Sequence, residues 1–347
     1  MNNLNKVNMQ RFFISVLLAL CGLAASAQMM PDSTVQICAY WSVGDKYDYY
    51  VEESTKKVNS QGDTVSNELS SRIMRFEVVG STDSSHQIRL TYLDEKSTNP
   101  QNEQIYQISR ALDLNIPILF STDANGVLLS IDNLGDIVSG YEKLIDPLME
   151  IVKASIPEAE KEEFDFSPLK EVMRSMLCNP QTIQTGIMED IGRLYFFHGA
   201  RLKMDETYKM EEPLLFILPG IDNLTAQTNV WIEGDLTDEY SAVCRTYSCA
   251  EMGEDFLKSA IEGTANMTLD AMEVSDSLTS EIKNEIDEMM RDKDISYQLS
   301  WEQYSTEEVH LNTGWPLKLY IDKYMKVTPP EGETEETIES KSIEIIL

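Results

Sequence analysis

The chain has 347 residues, with 59 acidic against 28 basic side chains and a formal net charge of −31. Such a charge repels nucleic acid and anionic membrane surfaces. The 42% hydrophobic content is that of a folded chain rather than a disordered one, and the length can bury a core in one large domain or two.

Lys6 and Arg11 precede an apolar run from Phe12 to Leu23, and Ala25-Ser26-Ala27 then offers small residues for cleavage. The run falls short of the roughly 20 apolar residues of a spanning helix. Residues 1–27 therefore read as an export signal. The mature chain, starting at Gln28, is expected in the periplasm, at the outer membrane or outside the cell, with no transmembrane segment after cleavage. A lipid anchor on Cys21 is disfavoured by the bulky Leu20 before it. Cleavage removes two positive charges and brings the net charge to roughly −33. Cys38, Cys178, Cys244 and Cys249 remain, and an oxidising compartment allows them three disulfide connectivities. Cys244 and Cys249 share a strand-like run that separates them by about 16 Å and points them to opposite faces, so they are poor partners.

Residues 28–132 read as a β meander. Tyr47, Tyr49 and Val51 alternate, as do Ile73 to Val78 and Ile88 to Tyr92, with Gln61-Gly62-Asp63 and Gly80 to Asp83 as turns. Gln104 to Ile108 alternates again and is expected to be a strand. Asn125-Gly126 favours a positive-φ turn, which predicts a hairpin between Ile116–Phe120 and Val127–Ile131.

Residues 133–193 read as a helical block. Leu134, Ile137, Val138, Tyr141, Leu144, Ile145, Leu148, Met149 and Val152 recur at helical spacing, with Asp132 or Asn133 available as a cap. Pro147 implies a kink or a restart. Further helices are expected after Ser167-Pro168 and Asn179-Pro180, beyond an acidic loop at 158–163. Each is too short to be stable alone, so the block needs a sheet to lie on.

Residues 194–347 return to strands, around 208–218, 226–233, 240–247, 295–304, 308–312, 316–327 and 338–347, with a second helical insertion around 251–293. Gly126 and Gly314 sit in comparable surroundings, which suggests two similar lobes. The fold class is thus α+β: large curved antiparallel β-sheets with a helical block packed on one face.

No motif in the chain carries catalysis. Gly135 and Gly140 have phosphate-loop spacing, but Tyr141-Glu142 stands where a Lys belongs. His86, His198 and His310 are isolated in sequence and read as structural. Asp123, Asn125 and Asp132 fall at the spacing of a calcium loop, yet Ser121 replaces its first carboxylate, and a plain hairpin accounts for them better. No cofactor is called for. Met149, Met173, Met176 and Met188 on helical faces, with Trp231 and Trp301, can be core packing or can line an apolar cleft between sheet and helices.

The Gly44-Asp45-Lys46-Tyr47-Asp48-Tyr49 strand, the Thr122-Asp123-Ala124-Asn125-Gly126-Val127 hairpin and the Leu311 to Pro316 turn resemble a family of secreted and periplasmic proteins of Bacteroidota to which no activity is assigned. Asp63-Thr64-Val65 and Asp276-Ser277-Leu278 are similar to the short O-glycosylation sequons of that phylum. More loosely, a long meander with helices on one face is similar to the half-barrel periplasmic lipoprotein carriers. The first expectation is an exported, non-catalytic protein holding a lipid or other apolar or amphiphilic ligand between sheet and helices. A structural or interaction protein of the envelope, with a protein partner there, is the second expectation. A hydrolase with a dispersed acidic site is the third.

Overall fold

The computed structural model describes residues 29–112, 115–155, 166–214, 224–252, 263, 298–328 and 334–346. The expected export signal, the acidic loop at 158–163 and nearly all of the second helical insertion lie outside them. In chain order the strands are β1 (Thr34–Gln36), β2 (Lys46–Val58), β3 (Thr64–Ser81), β4 (Ser85–Ser97), β5 (Ile118–Asp123), β6 (Leu128–Ile131), β7 (Arg201–Lys203), β8 (Tyr208–Leu214), β9 (Leu224–Ile232), β10 (Ser241–Met252), β11 (Gln298–His310), β12 (Pro316–Thr328) and β13 (Glu335–Ile346). The helices are α1 (Pro100–Ala111), α2 (Leu134–Ser155), α3 (Ser167–Leu177) and α4 (Pro180–Leu194).

Eleven strands form one antiparallel sheet in the order β6-β5-β4-β3-β2-β13-β12-β11-β10-β9-β8, while β1 and β7 pair separately. Neighbours in sequence are mostly neighbours in space, joined by short turns at β2–β3 and β11–β12, for example, while α1 intervenes between β4 and β5. The halves meet where β13 pairs with β2, Ile343 opposite Val51. The first long strand and the last therefore close the sheet in its middle. The α+β expectation holds, with large antiparallel pairing and helices on one face.

Local expectations are corrected at residues 104–108 and at Asn133, and the restart at Pro147 is ruled out. Residues 104–108 are helical, inside α1, because Asn99 caps it by accepting from the Gln101 and Asn102 N–H groups while Pro100 fills the first turn. Ile105 and Ile108 fit either period over so short a run, and the Asn-Pro start decides. The same device opens α4, where Asn179 caps and Pro180 follows. Pro147 neither restarts nor ends α2, which runs through it. Asn133 does not spend its side chain on capping either. Its amide joins the Leu119 N–H (2.9 Å) and the Pro117 carbonyl (2.8 Å), which ties the start of α2 to β5.

The main core lies between α2, α4 and the β2–β5 part of the sheet. Ile137, Ile183, Ile191, Leu194 and Tyr195 pack on Tyr49, Val51, Met74, Phe76, Ile88, Leu90 and Phe120. A second cluster gathers Val35, Ile37 and Phe197 against Val230, Ile232, Cys244 and Val309. The leader between β1 and β2 threads between the halves. The Ala39 N–H donates to the Asn125 carbonyl (2.9 Å), and the Tyr40 N–H donates to that of Thr313 (3.1 Å). The loops carrying Gly126 and Gly314 thus dock on the same segment. At Gly314 (φ +72°) an added Cβ would stand 2.0 Å from the Cys38 carbonyl oxygen, so only glycine allows this approach.

Candidate functional site

Period two decides which side chains of the sheet face the helices. Along β2, Tyr49 and Val51 face inward on the apolar core, and the next inward residue is Glu53. On β3 the inward series Val78, Phe76, Met74 continues to Arg72, and on β13 it runs from Ile343 to Lys341. Register brings these ends together, with Arg72 opposite Val51, and Ser70 and Lys341 opposite Glu53. One pleat beyond the apolar floor the inner face therefore becomes charged. Helix α4 lies over this boundary. Its Ile183, Ile191 and Leu194 go into the core, while Asp190 and Arg193 meet the charged row.

The result is a four-membered ion network. Glu53 Oε1 lies 3.0 Å from Arg72 Nη2 and 2.9 Å from Lys341 Nζ, and Asp190 lies 2.7 Å from Lys341 Nζ and 3.5 Å from Arg72 Nη2. The two cations are nearly enclosed, at 15% and 16% side-chain exposure, against 31% and 38% for the two acids. Burial alone would neutralise Asp190, yet Lys341 and Arg72 beside it hold its carboxyl below the usual range. Burial likewise works against the Lys341 charge, and Asp190 and Glu53 keep its ammonium above its ordinary value. The Arg72 guanidinium also rests over the Tyr92 ring, 5.3 Å from its centroid.

Beside this network opens a cleft of about 390 Å³. Its walls come from Glu53 and Thr55 on β2, Glu68, Leu69 and Ser70 on β3, Ser97 on β4, Asn102 and Tyr106 on α1, Asp190 and Arg193 on α4, Ile321 and Lys323 on β12, and Glu339 and Lys341 on β13. Arg193 pairs with Glu212 of β8 at 2.5 Å and stacks on Phe196. Its Nη1 is buried without a hydrogen-bond partner among the described residues. On the far side of Glu212, Thr228 Oγ1 lies 3.3 Å from Glu212 Oε2 and 2.9 Å from Ser248 Oγ.

The six residues expected to line an apolar cleft are not brought together here. Met149 and Met173 fill the α2–α3 contact with Ile145 and Cys178. Met176 is exposed, and Met188 is half-buried on α4. Trp301 packs with Leu214, Ala226, Ala250, Met252 and Leu299 in a separate cluster, and Trp231 is half-buried on β9. The 123–132 segment is the hairpin β5–β6. Asp123 Oδ1 accepts from the Asn125 and Val127 N–H groups, and Asn125 Oδ1 faces Cys38 Sγ. Asp132 binds Gln87, Ser121 and Ser130 at the hairpin's other end. None of Cys38, Cys178, Cys244 and Cys249 is in a disulfide.

Two of the three histidines pack on the same ring. His86 and His198 each lie 5.4 Å from the Trp41 ring, which also packs on Tyr195 and Trp315. Burial pushes the His198 imidazole down to about 4, and its Nε2 bonds the Gly314 carbonyl oxygen at 2.7 Å. Glu307, inward on β11, is also enclosed. Neither of its oxygens has a hydrogen-bond partner among the described residues, and burial raises its carboxyl well above the ordinary value. Reading residue types missed the charged row, although a signal was present. Glu53, Arg72 and Lys341 each stand on the apolar parity of their strand, where a charge needs a partner.

No family model matches the chain, and no curated protein matches it. Among solved structures it is similar to lipovitellin, in a structure titled for lipid–protein interactions in that protein, with 10% identity and a TM-score of 0.38 over 88% of this chain. The match covers 25% of that structure's chain, so this protein spans about a quarter of its length.

Proposed function

We propose that this is an exported, non-catalytic binding protein that takes its ligand in the cleft between the sheet and helices α1 and α4. The observation that supports this reading is the cleft itself, about 390 Å³ in volume and walled by side chains from the sheet and both helices. That size lies within the range of small-molecule pockets. Its chemistry refines the expectation of an apolar ligand. Hydrocarbon laid against Glu53, Asp190 and Lys341 would strip water from charges without replacing it. An amphiphile would therefore present its polar end here. Asp190 itself is ill suited to general-acid work, because two cations hold its carboxyl below the usual range. Export rests on the N-terminal pattern of residues 6–27, and membership of the secreted Bacteroidota proteins rests on the turn motifs alone.

The test is extraction of gently purified mature protein followed by mass spectrometry. A stoichiometric small molecule, lost in a Lys341→Met/Arg193→Met variant that still folds, is the expected result. Repeatedly clean extracts, together with recovery of one envelope protein in a pull-down, would overturn the reading in favour of an interaction protein.

A further inference from the structure

We infer that the group recognised in this cleft is uncharged and hydroxyl-rich: a carbohydrate, carried either as a free oligosaccharide or as the sugar of a glycolipid. This rests on the cleft being a ligand site, and it names the chemistry of what enters.

The charge inventory excludes the simplest alternatives. The walls carry Arg193, Lys323 and Lys341 against Glu53, Glu68, Asp190 and Glu339. Lys341 is held by two carboxylates and Arg193 by Glu212, so these cations are already neutralised. A phosphate or carboxylate ligand would meet an excess of negative charge. An amine seeking Glu53 or Asp190 would have to displace Lys341 from contacts of 2.7–2.9 Å.

What the cleft offers is a dense mixture of fixed donors and acceptors. Each hydroxyl of a sugar both donates and accepts, so it can bridge a carboxylate such as Glu68 to an N–H such as that of Asn102. Arg193 also lines the cleft, and a neutral oxygen there adds no charge beside its pair with Glu212. The remaining wall is suited to the C–H faces of a sugar ring. Tyr106 stands one helical turn from Asn102 on α1, with Leu69 and Ile321 also on the lining.

The experiment uses the mature chain in four arms: short neutral oligosaccharides of mixed composition, inorganic phosphate, phosphatidylcholine vesicles, and the same vesicles carrying a neutral glycolipid. Calorimetry reads the soluble arms, and co-sedimentation reads the vesicles. The expected result is saturable binding in a sugar arm, changing less than about twofold between low and high salt because the ligand is uncharged. Tyr106→Ala and, independently, the exposed Asn102→Ala should each weaken it about tenfold, and the Asn102 variant should do so with its unfolding midpoint unchanged. Binding of free sugar only, or of glycolipid vesicles only, identifies the source and supports the inference either way. Equal binding of both vesicle types, or salt-sensitive phosphate binding without sugar binding, would leave the cleft as a site and overturn the carbohydrate. Silence in all four arms would overturn the carbohydrate and leave the cleft itself to the extraction test.

Discussion

Asp190→Asn removes one charge from the wall of the cleft and leaves the shape of the side chain intact. In the native protein Asp190 holds Lys341 at 2.7 Å and Arg72 at 3.5 Å. Without it, two cations that are only 16% and 15% exposed share Glu53 alone. Removing one partner of a buried pair costs about 3–5 kcal/mol, whereas exposed pairs contribute about 0.2–1 kcal/mol. Asp190 itself keeps 38% exposure, so solvent screens part of its effect, and the expected loss is about 2 kcal/mol. Lys341→Met alone should also destabilise. The double variant removes one charge of each sign and leaves Arg72 and Glu53 as a pair, so it should cost about 1 kcal/mol less than the sum. Urea unfolding followed by tryptophan fluorescence measures this, with the slope checked for constancy. The stabilisation has a defined pH window. A lowered carboxyl contributes fully above its unfolded value and loses that contribution as pH falls through its folded value. Wild type and Asp190→Asn should therefore converge below about pH 4. A loss under about 0.5 kcal/mol, or additivity within about 0.3 kcal/mol, would refute the coupled network.

Gly314→Ala should lower stability by at least about 2 kcal/mol, combining a left-handed φ with displacement of the Cys38 carbonyl, whereas Gly62→Ala, equally left-handed but with open space around it, should cost only about 1 kcal/mol. Equal losses in thermal unfolding would show that the leader is not held as described. His198 is held neutral, with its folded value near 4 and below the ordinary 6.5, so its unfolded form takes up a proton first. Stability should be complete above about pH 6.5 and fall by about 3 kcal/mol as pH drops toward 4, with buried His86 acting in the same direction. His198→Gln should flatten that slope in urea titrations at several pH values. Glu307 has the opposite sign. Its raised carboxyl stabilises the fold at low pH and loses that contribution as pH rises through the interval between its unfolded and folded values. Glu307→Gln should therefore raise the urea midpoint at neutral pH, by more at about pH 8 than at about pH 5, and a pH-independent difference would refute the assignment.

The meander, the hairpin at Asn125-Gly126 and the helices after Ser167-Pro168 and Asn179-Pro180 were legible because their signals are local. Alternation, a positive-φ turn and a capped first turn each act within a few residues. The helix at 100–111 was misread for the same reason. Over residues 104–108 two periods fit, and the deciding Asn99-Pro100 pair lies just upstream. Met149, Met173 and Trp301 looked alike as lining candidates, but the contacts that separate them belong to different clusters. Distance between elements is not written in residue type. The charged row was half legible. Glu53, Arg72 and Lys341 each break an apolar parity, which announces a buried charge, but their partnership depends on strand register and on α4.

The local chemistry of the chain determined which segments become strands and helices, which face of each is apolar, and that the whole carries strong negative charge. These follow from period, caps and turns, interactions that span at most a few residues. Tertiary structure alone decided that β2 and β13 pair, and with that pairing that Glu53 and Lys341 stand side by side under Asp190. A hydrophobic face specifies only that it must be covered. The choice among covers is made by the packing of the whole molecule, and here it left a charged cleft rather than an apolar one at the edge of the core.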